Sequence, residues 1–140
     1  MKFWDSSAII PLCLKEANSE IIRRIAENDQ DITVWWATPI ECISALVRRK
    51  REGIFPIEAE RNSRKILSQL AAEWSEVLPT PLVRQRAERL IGIHPLRAAD
   101  VFQLAAALIW AEEKPHGLAF VCLDQNLREA ARKEAFTILP

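Results

Sequence analysis

Leu118-Ala-Phe-Val-Cys-Leu-Asp-Gln-Asn-Leu-Arg-Glu-Ala-Ala131 decides the fold. Leu118 to Leu123 is a short apolar run, which reads as a buried strand that stops at Asp124. The residues after it have helical period, and the spacing predicts a helix from Gln125 to Ala135. A strand closed by a carboxylate and followed at once by a helix is the opening half of a parallel crossover unit. A short strand from Phe136 to Leu139 is expected to complete that unit.

The same pattern recurs toward the N-terminus. Lys2 to Trp4 reads as a strand ended by Asp5, with Ser6 or Ser7 capping a helix that reaches Leu14. Pro11 suits only the opening turn of that helix. Asn18 or Ser19 opens a second helix, and Ile32 to Trp36 is β-branched and aromatic, hence a second strand. Thr38-Pro39-Ile40-Glu41 is a helix start, with Thr38 as cap, Pro39 as first helical residue and Glu41 completing a capping box. That helix is expected to run to Gly53, and another from Pro56 to Trp74. A brief strand over Ser75–Leu78 and a helix over Leu82–Ile91 follow. Ala98 to Ala111 is apolar almost all round, as a buried central helix must be. The expected fold is a single α/β domain over residues 1–140, a three-layer α/β/α sandwich around a parallel sheet of four to five strands.

Composition bounds the chemistry. Apolar residues make up 49% and charged residues 27%, values that exclude a disordered chain. Nineteen basic residues balance nineteen acidic ones, so a strongly basic nucleic-acid coat is excluded while a local basic patch is not. Cys13, Cys42 and Cys122 are widely spaced and odd in number, which argues against a disulfide framework or a cysteine zinc site. No apolar run reaches signal-peptide or membrane-spanning form, and a cytoplasmic location is expected. His94 and His116 lie in loops flanked by Pro or Gly and read as surface residues.

In a parallel sheet, ligands bind beyond the carboxyl ends of the strands, at the switch point of the topology. Four acids fall at that edge: Asp5, Glu41, Asp100 and Asp124. Each has a plain alternative role. Asp5 and Asp124 can cap the helices after them, Glu41 can serve its capping box, and Asp100 can pair with Arg97 one turn earlier. As a set they are harder to explain, because like charges about 4 Å apart repel by roughly 1–4 kcal/mol at surface-like dielectric. A hard divalent cation removes that cost, and oxygen-only ligands suit Mg²⁺ or Mn²⁺ rather than zinc. The four acids predict a metal site, provided that they meet in space.

Four segments resemble the PIN-domain ribonucleases of the VapC toxin type. Phe3-Trp-Asp-Ser-Ser-Ala-Ile9 is similar to that family's first strand and acid, and Pro39-Ile-Glu-Cys-Ile-Ser-Ala-Leu46 to its glutamate helix. Leu96-Arg-Ala-Ala-Asp-Val-Phe-Gln-Leu-Ala-Ala-Ala-Leu108 resembles the third-acid helix, and Phe120-Val-Cys-Leu-Asp-Gln-Asn-Leu-Arg-Glu-Ala-Ala131 the fourth-acid strand and helix. The resemblance implies a metal-dependent endoribonuclease with Asp5, Glu41, Asp100 and Asp124 as catalytic residues. Asp5, Asp100 and Asp124 are then ligands of one or two Mg²⁺ or Mn²⁺ ions, with Glu41 acting directly or through a water. Hydrolysis by this route leaves a 5′ phosphate and a 3′ hydroxyl. The toxin branch implies translation inhibition, a cognate antitoxin, and a homodimer or toxin–antitoxin hetero-oligomer.

Two supporting residues stay open. Ser7 matches the family's hydroxyl near the metal and equally suits an ordinary cap; Gln103, where many relatives carry histidine, either orients a metal-bound water or satisfies a buried polar strip. Arg48, Arg49 and Arg51 are the candidate RNA-backbone contacts, set against the plainer reading of a solvated helix face. Two rivals stand beside the toxin reading: a housekeeping RNA-processing nuclease of the same fold, and a non-catalytic α/β binding module whose acids are caps. A phosphotransfer domain is disfavoured, because Ser7 stands where a dehalogenase-type phosphatase needs its second aspartate.

Overall fold

The computed structural model describes residues 1–140. Five parallel strands form one sheet: β1 (Lys2–Trp4), β2 (Ile32–Trp35), β3 (Ser75–Val77), β4 (Ala119–Val121) and β5 (Thr137–Leu139), in the order β3-β2-β1-β4-β5. Seven helices connect them: α1 (Ser6–Cys13), α2 (Ser19–Asn28), α3 (Thr38–Arg51), α4 (Ile57–Glu73), α5 (Pro81–Ile91), α6 (Ala98–Trp110) and α7 (Gln125–Lys133). The chain first walks from β1 outward to β3, then returns past β1 to add β4 and β5. The order reverses between β1 and β4, and this is the switch point.

Alternation along each strand divides the core into two. Trp4, Ile32, Val34 and Val121 face α1 to α4, whereas Phe3, Trp35 and Phe120 face α5, α6 and α7. Right-handed crossovers demand this partition, because reversing the walk across the sheet moves the helices to its other face. The result is the expected three-layer sandwich. The central strands are buried on both sides, which is why they read as unbroken apolar runs. β3 is an edge strand, with Ser75 and Glu76 exposed. No helix is long and apolar enough to cross a membrane.

Three local expectations need correction. Asp5, not a serine, caps α1 by accepting the Ser7 N–H, so the helix starts early and Pro11 falls in its interior. The missing Pro11 N–H leaves the Ser7 carbonyl without its helical donor, a defect tolerated near the end of an eight-residue helix. Ala37 is the flanking residue of α3, Thr38 is its first helical residue, and the Thr38–Glu41 capping box does not form. Both side chains bond to other elements instead. His94 is not a surface residue: it is 5% exposed, and its Nε2 lies 2.7 Å from Glu134 Oε1 just past α7. Nothing in its local sequence announces that partner, 40 residues away.

Candidate active site

Asp5 leaves β1 at the switch point and is buried. Its backbone N–H bonds to the Val121 carbonyl at the end of β4, 3.0 Å away. Its Oδ2 gathers every side-chain contact: the Ser7 N–H at 3.0 Å, the Ser7 hydroxyl at 2.5 Å and the Cys122 thiol at 3.5 Å. Ser7 Oγ in turn accepts the Leu123 N–H at 2.9 Å. One hydroxyl therefore ties the first acid to the loop that carries the fourth, so Ser7 is a brace and not a cap.

Glu41 stands in the first turn of α3. Its Oε2 accepts the Ser6 hydroxyl at 2.9 Å and the Gln103 amide at 3.1 Å; the same amide reaches Thr38 Oγ1 at 3.2 Å. Three helices thus orient one carboxylate. Gln103 is fully buried, and its Oε1 has no hydrogen-bond partner. Its amide serves Glu41 directly, which settles its position though not its part in any reaction.

Asp100, in the first turn of α6, is half-buried and makes no hydrogen bond or ion pair; the Arg97 charge steadies it without closing on it. Asp124 is exposed at the end of the β4 loop. It caps α7 through Oδ1, which accepts the Leu127 N–H at 2.8 Å. The capping roles foreseen for Asp5 and Asp124 are real, but each occupies a single oxygen.

Mutual repulsion couples the acids. Burial raises the pKa of Asp5 above the usual carboxylate range, against the lowering effect of the bonds from Ser7. Burial likewise raises Glu41, and the charges of Asp5 and Asp100 add to it. Asp100 is raised by burial and then by Asp124 and Asp5. None of the four pairs with a Lys, Arg or His. Every one keeps at least one oxygen that takes no bond from the protein. All three cysteines are free, and burial pushes the thiols of Cys13, Cys42 and Cys122 well up.

An uncompensated set of oxygen donors has the chemistry of a hard-cation site. In charge and donor type the residues fit Mg²⁺ or Mn²⁺. Their spacing is looser than a finished ion shell: no three His, Cys, Asp or Glu side chains are gathered to hold one ion. The basic candidates are not brought to this edge. Arg48, Arg49 and Arg51 occupy the last turn of α3, whereas Glu41 is in its first; Arg49 pairs with Glu16 at 2.7 Å, leaving Arg48 and Arg51 exposed.

Residue-by-residue reading of the sequence treats Ser6 and Thr38 only as caps. The available signal was the Ser-Ser pair after Asp5. Successive helical positions point about 100° apart, so two hydroxyls there serve two different carboxylates.

No family model and no curated protein sequence matches the chain. Among solved structures it is similar to PAE2754 from Pyrobaculum aerophilum, with a TM-score of 0.66 and 18% identity over 98% of this chain and 87% of that one. It is also similar to FitAcB from Neisseria gonorrhoeae, with a TM-score of 0.66 and 14% identity over 100% of this chain and 97% of that one. Likeness of this extent shows the fold, a PIN-like three-layer sandwich.

Proposed function

We propose that the chain is a metal-dependent endoribonuclease that hydrolyses RNA phosphodiester bonds at the edge formed by Asp5, Glu41, Asp100 and Asp124. One observation carries this reading. Four carboxylates within one another's field hold free oxygens and have no cationic partner. A module whose acids were only caps would explain Asp5 and Asp124, and would leave Glu41 and Asp100 without a role.

Asp5, Asp100 and Asp124 are the residues to hold Mg²⁺ or Mn²⁺, with Glu41 directly or through a water. When bound, such a cation neutralises phosphoryl oxygens and lowers the pKa of water. The chain's own part is placement. Ser7 holds Asp5 Oδ2 and leaves Oδ1 without a bond from the protein, and Ser6 with Gln103 does the same for Glu41 through Oε2. Glu41 Oε1 is then the atom to take the proton from the attacking water, and a raised pKa suits a general base. The products should carry a 5′ phosphate and a 3′ hydroxyl. A 2′,3′-cyclic phosphate on the product ends would contradict hydrolysis by water.

The resemblance of the four acidic segments supports the toxin branch, with a cognate antitoxin as partner and translation as the process inhibited. Growth arrest on expression in a bacterial host, relieved by the product of an adjacent small gene, tests it. Expression without arrest would favour the housekeeping nuclease.

A further inference from the structure

A cavity of about 460 Å³ opens beside the acids, between the end of β2 and helices α5 and α6. Its walls include Trp36, Val83, Arg84, Ala99 and Phe102, and it shares Glu41 with the carboxylate cluster. Ala99 precedes Asp100 directly, so through Glu41 and Ala99 the cavity adjoins the acids. The volume lies within the ~300–1,000 Å³ typical of small-molecule pockets.

The chemistry of the walls is specific. Trp35 and Phe102 stack with planes 1° apart and centroids at 5.7 Å, which makes a rigid aromatic floor. Trp36, the next residue, is 52% exposed. Arg84 is exposed and in no ion pair, whereas Arg86 is held by Glu113. Arg97, at the start of α6, is exposed and unpaired too. Apolar side chains from a protein would use the rings and leave Arg84 idle. An unpaired nucleobase with its phosphates uses the rings and the charges. A base inside a duplex cannot enter, because its faces are already stacked.

We propose that this cavity takes one unstacked base of single-stranded RNA, next to the phosphodiester that the acids face, with Trp36 as stacking surface and Arg84 as phosphate contact. The inference rests on the nuclease reading and assigns the contacts beside the cleaved bond to Trp36 and Arg84.

The test is binding without cleavage. A fluorescent single-stranded oligoribonucleotide and a blunt-ended RNA duplex of equal phosphate count are titrated in EDTA against the unaltered protein, Trp36→Ala, Trp36→Phe and Arg84→Gln. Trp36→Ala should weaken single-strand binding at least about fivefold. Trp36→Phe should restore most of it, and binding of the duplex should change less than about twofold. Arg84→Gln should lower the slope of log affinity against log salt by about one. Equal loss on both RNAs overturns the proposal. Affinity unchanged in both Trp36→Ala and Arg84→Gln overturns it as well, and leaves the cavity to an apolar segment of a protein partner. Cleavage by the unaltered protein in Mn²⁺ is scored separately. Trp36-dependent single-strand binding without cleavage would keep the subsite and remove the nuclease reading; cleavage with Trp36-independent binding would do the reverse.

Discussion

Ser7 Oγ donates to Asp5 Oδ2 and accepts the Leu123 N–H, so a single hydroxyl joins the carboxyl ends of two neighbouring parallel strands. Ser7→Ala removes both bonds and leaves a backbone N–H unpartnered in the interior. It should cost about 1–3 kcal/mol of stability, read by urea denaturation. It should lower RNA cleavage more than stability alone accounts for, since Asp5 loses its orientation. An unchanged denaturation midpoint would mean that the brace carries no load.

Asp5, Glu41 and Asp100 bind protons more tightly folded than unfolded, first because of burial and, for the last two, because of neighbouring charge. Their contribution to stability is therefore greatest at low pH and is lost as pH rises through the raised values. Asp29 and Glu60 act the other way: bonds from Lys2 and Lys50 lower them, so their contribution is lost only as pH falls through those lowered values. In EDTA, Asp100→Asn should thus raise Tm relative to the unaltered protein at about pH 8 and much less at about pH 5. Equal differences at both pH values would contradict the clustering of the acids.

Mn²⁺ should stabilise the unaltered protein at neutral pH, where the carboxylates are charged. At a hundred times its Kd the gain is about 2.7 kcal/mol, or roughly 10 °C in Tm for a chain of this size. The shift should shrink at about pH 5 and be largely absent in Asp100→Asn. A Tm indifferent to Mn²⁺ would favour the non-catalytic module.

The first and fourth strands and their acids were legible because each is a short buried run stopped by a charge, at Trp4-Asp5 and Leu123-Asp124. The buried character of α6 was equally plain, since Val101 and Leu104 to Leu108 leave no polar face. What escaped was fixed by partners distant in sequence. Glu41 looks like half a capping box until Gln103, 62 residues on, claims it. His94 looks like a loop residue until Glu134 closes on it. Helical period states which face is buried, and nothing about which polar group waits there.

That last contact has its own consequence. His94 is 5% exposed and Glu134 is the only side chain bonded to it. Glu134→Ala should cost about 1–3 kcal/mol by stranding a buried ring nitrogen, while leaving RNA cleavage per folded molecule unchanged. Thermal denaturation and a specific-activity assay together check this, and a loss of specific activity would tie the far end of α7 to the site.

The acidic cluster as a metal-dependent nuclease centre is tested most directly by incubating a structured RNA pool with the protein in Mn²⁺, in EDTA, and with Asp100→Asn in Mn²⁺. Asp100 is the one acid of the four that makes no hydrogen bond or ion pair within the protein, so its loss isolates the chemistry. Cleavage by the unaltered protein in Mn²⁺ alone, absent from the other two reactions, is the predicted result. Cleavage that persists in EDTA or in Asp100→Asn would contradict the assignment.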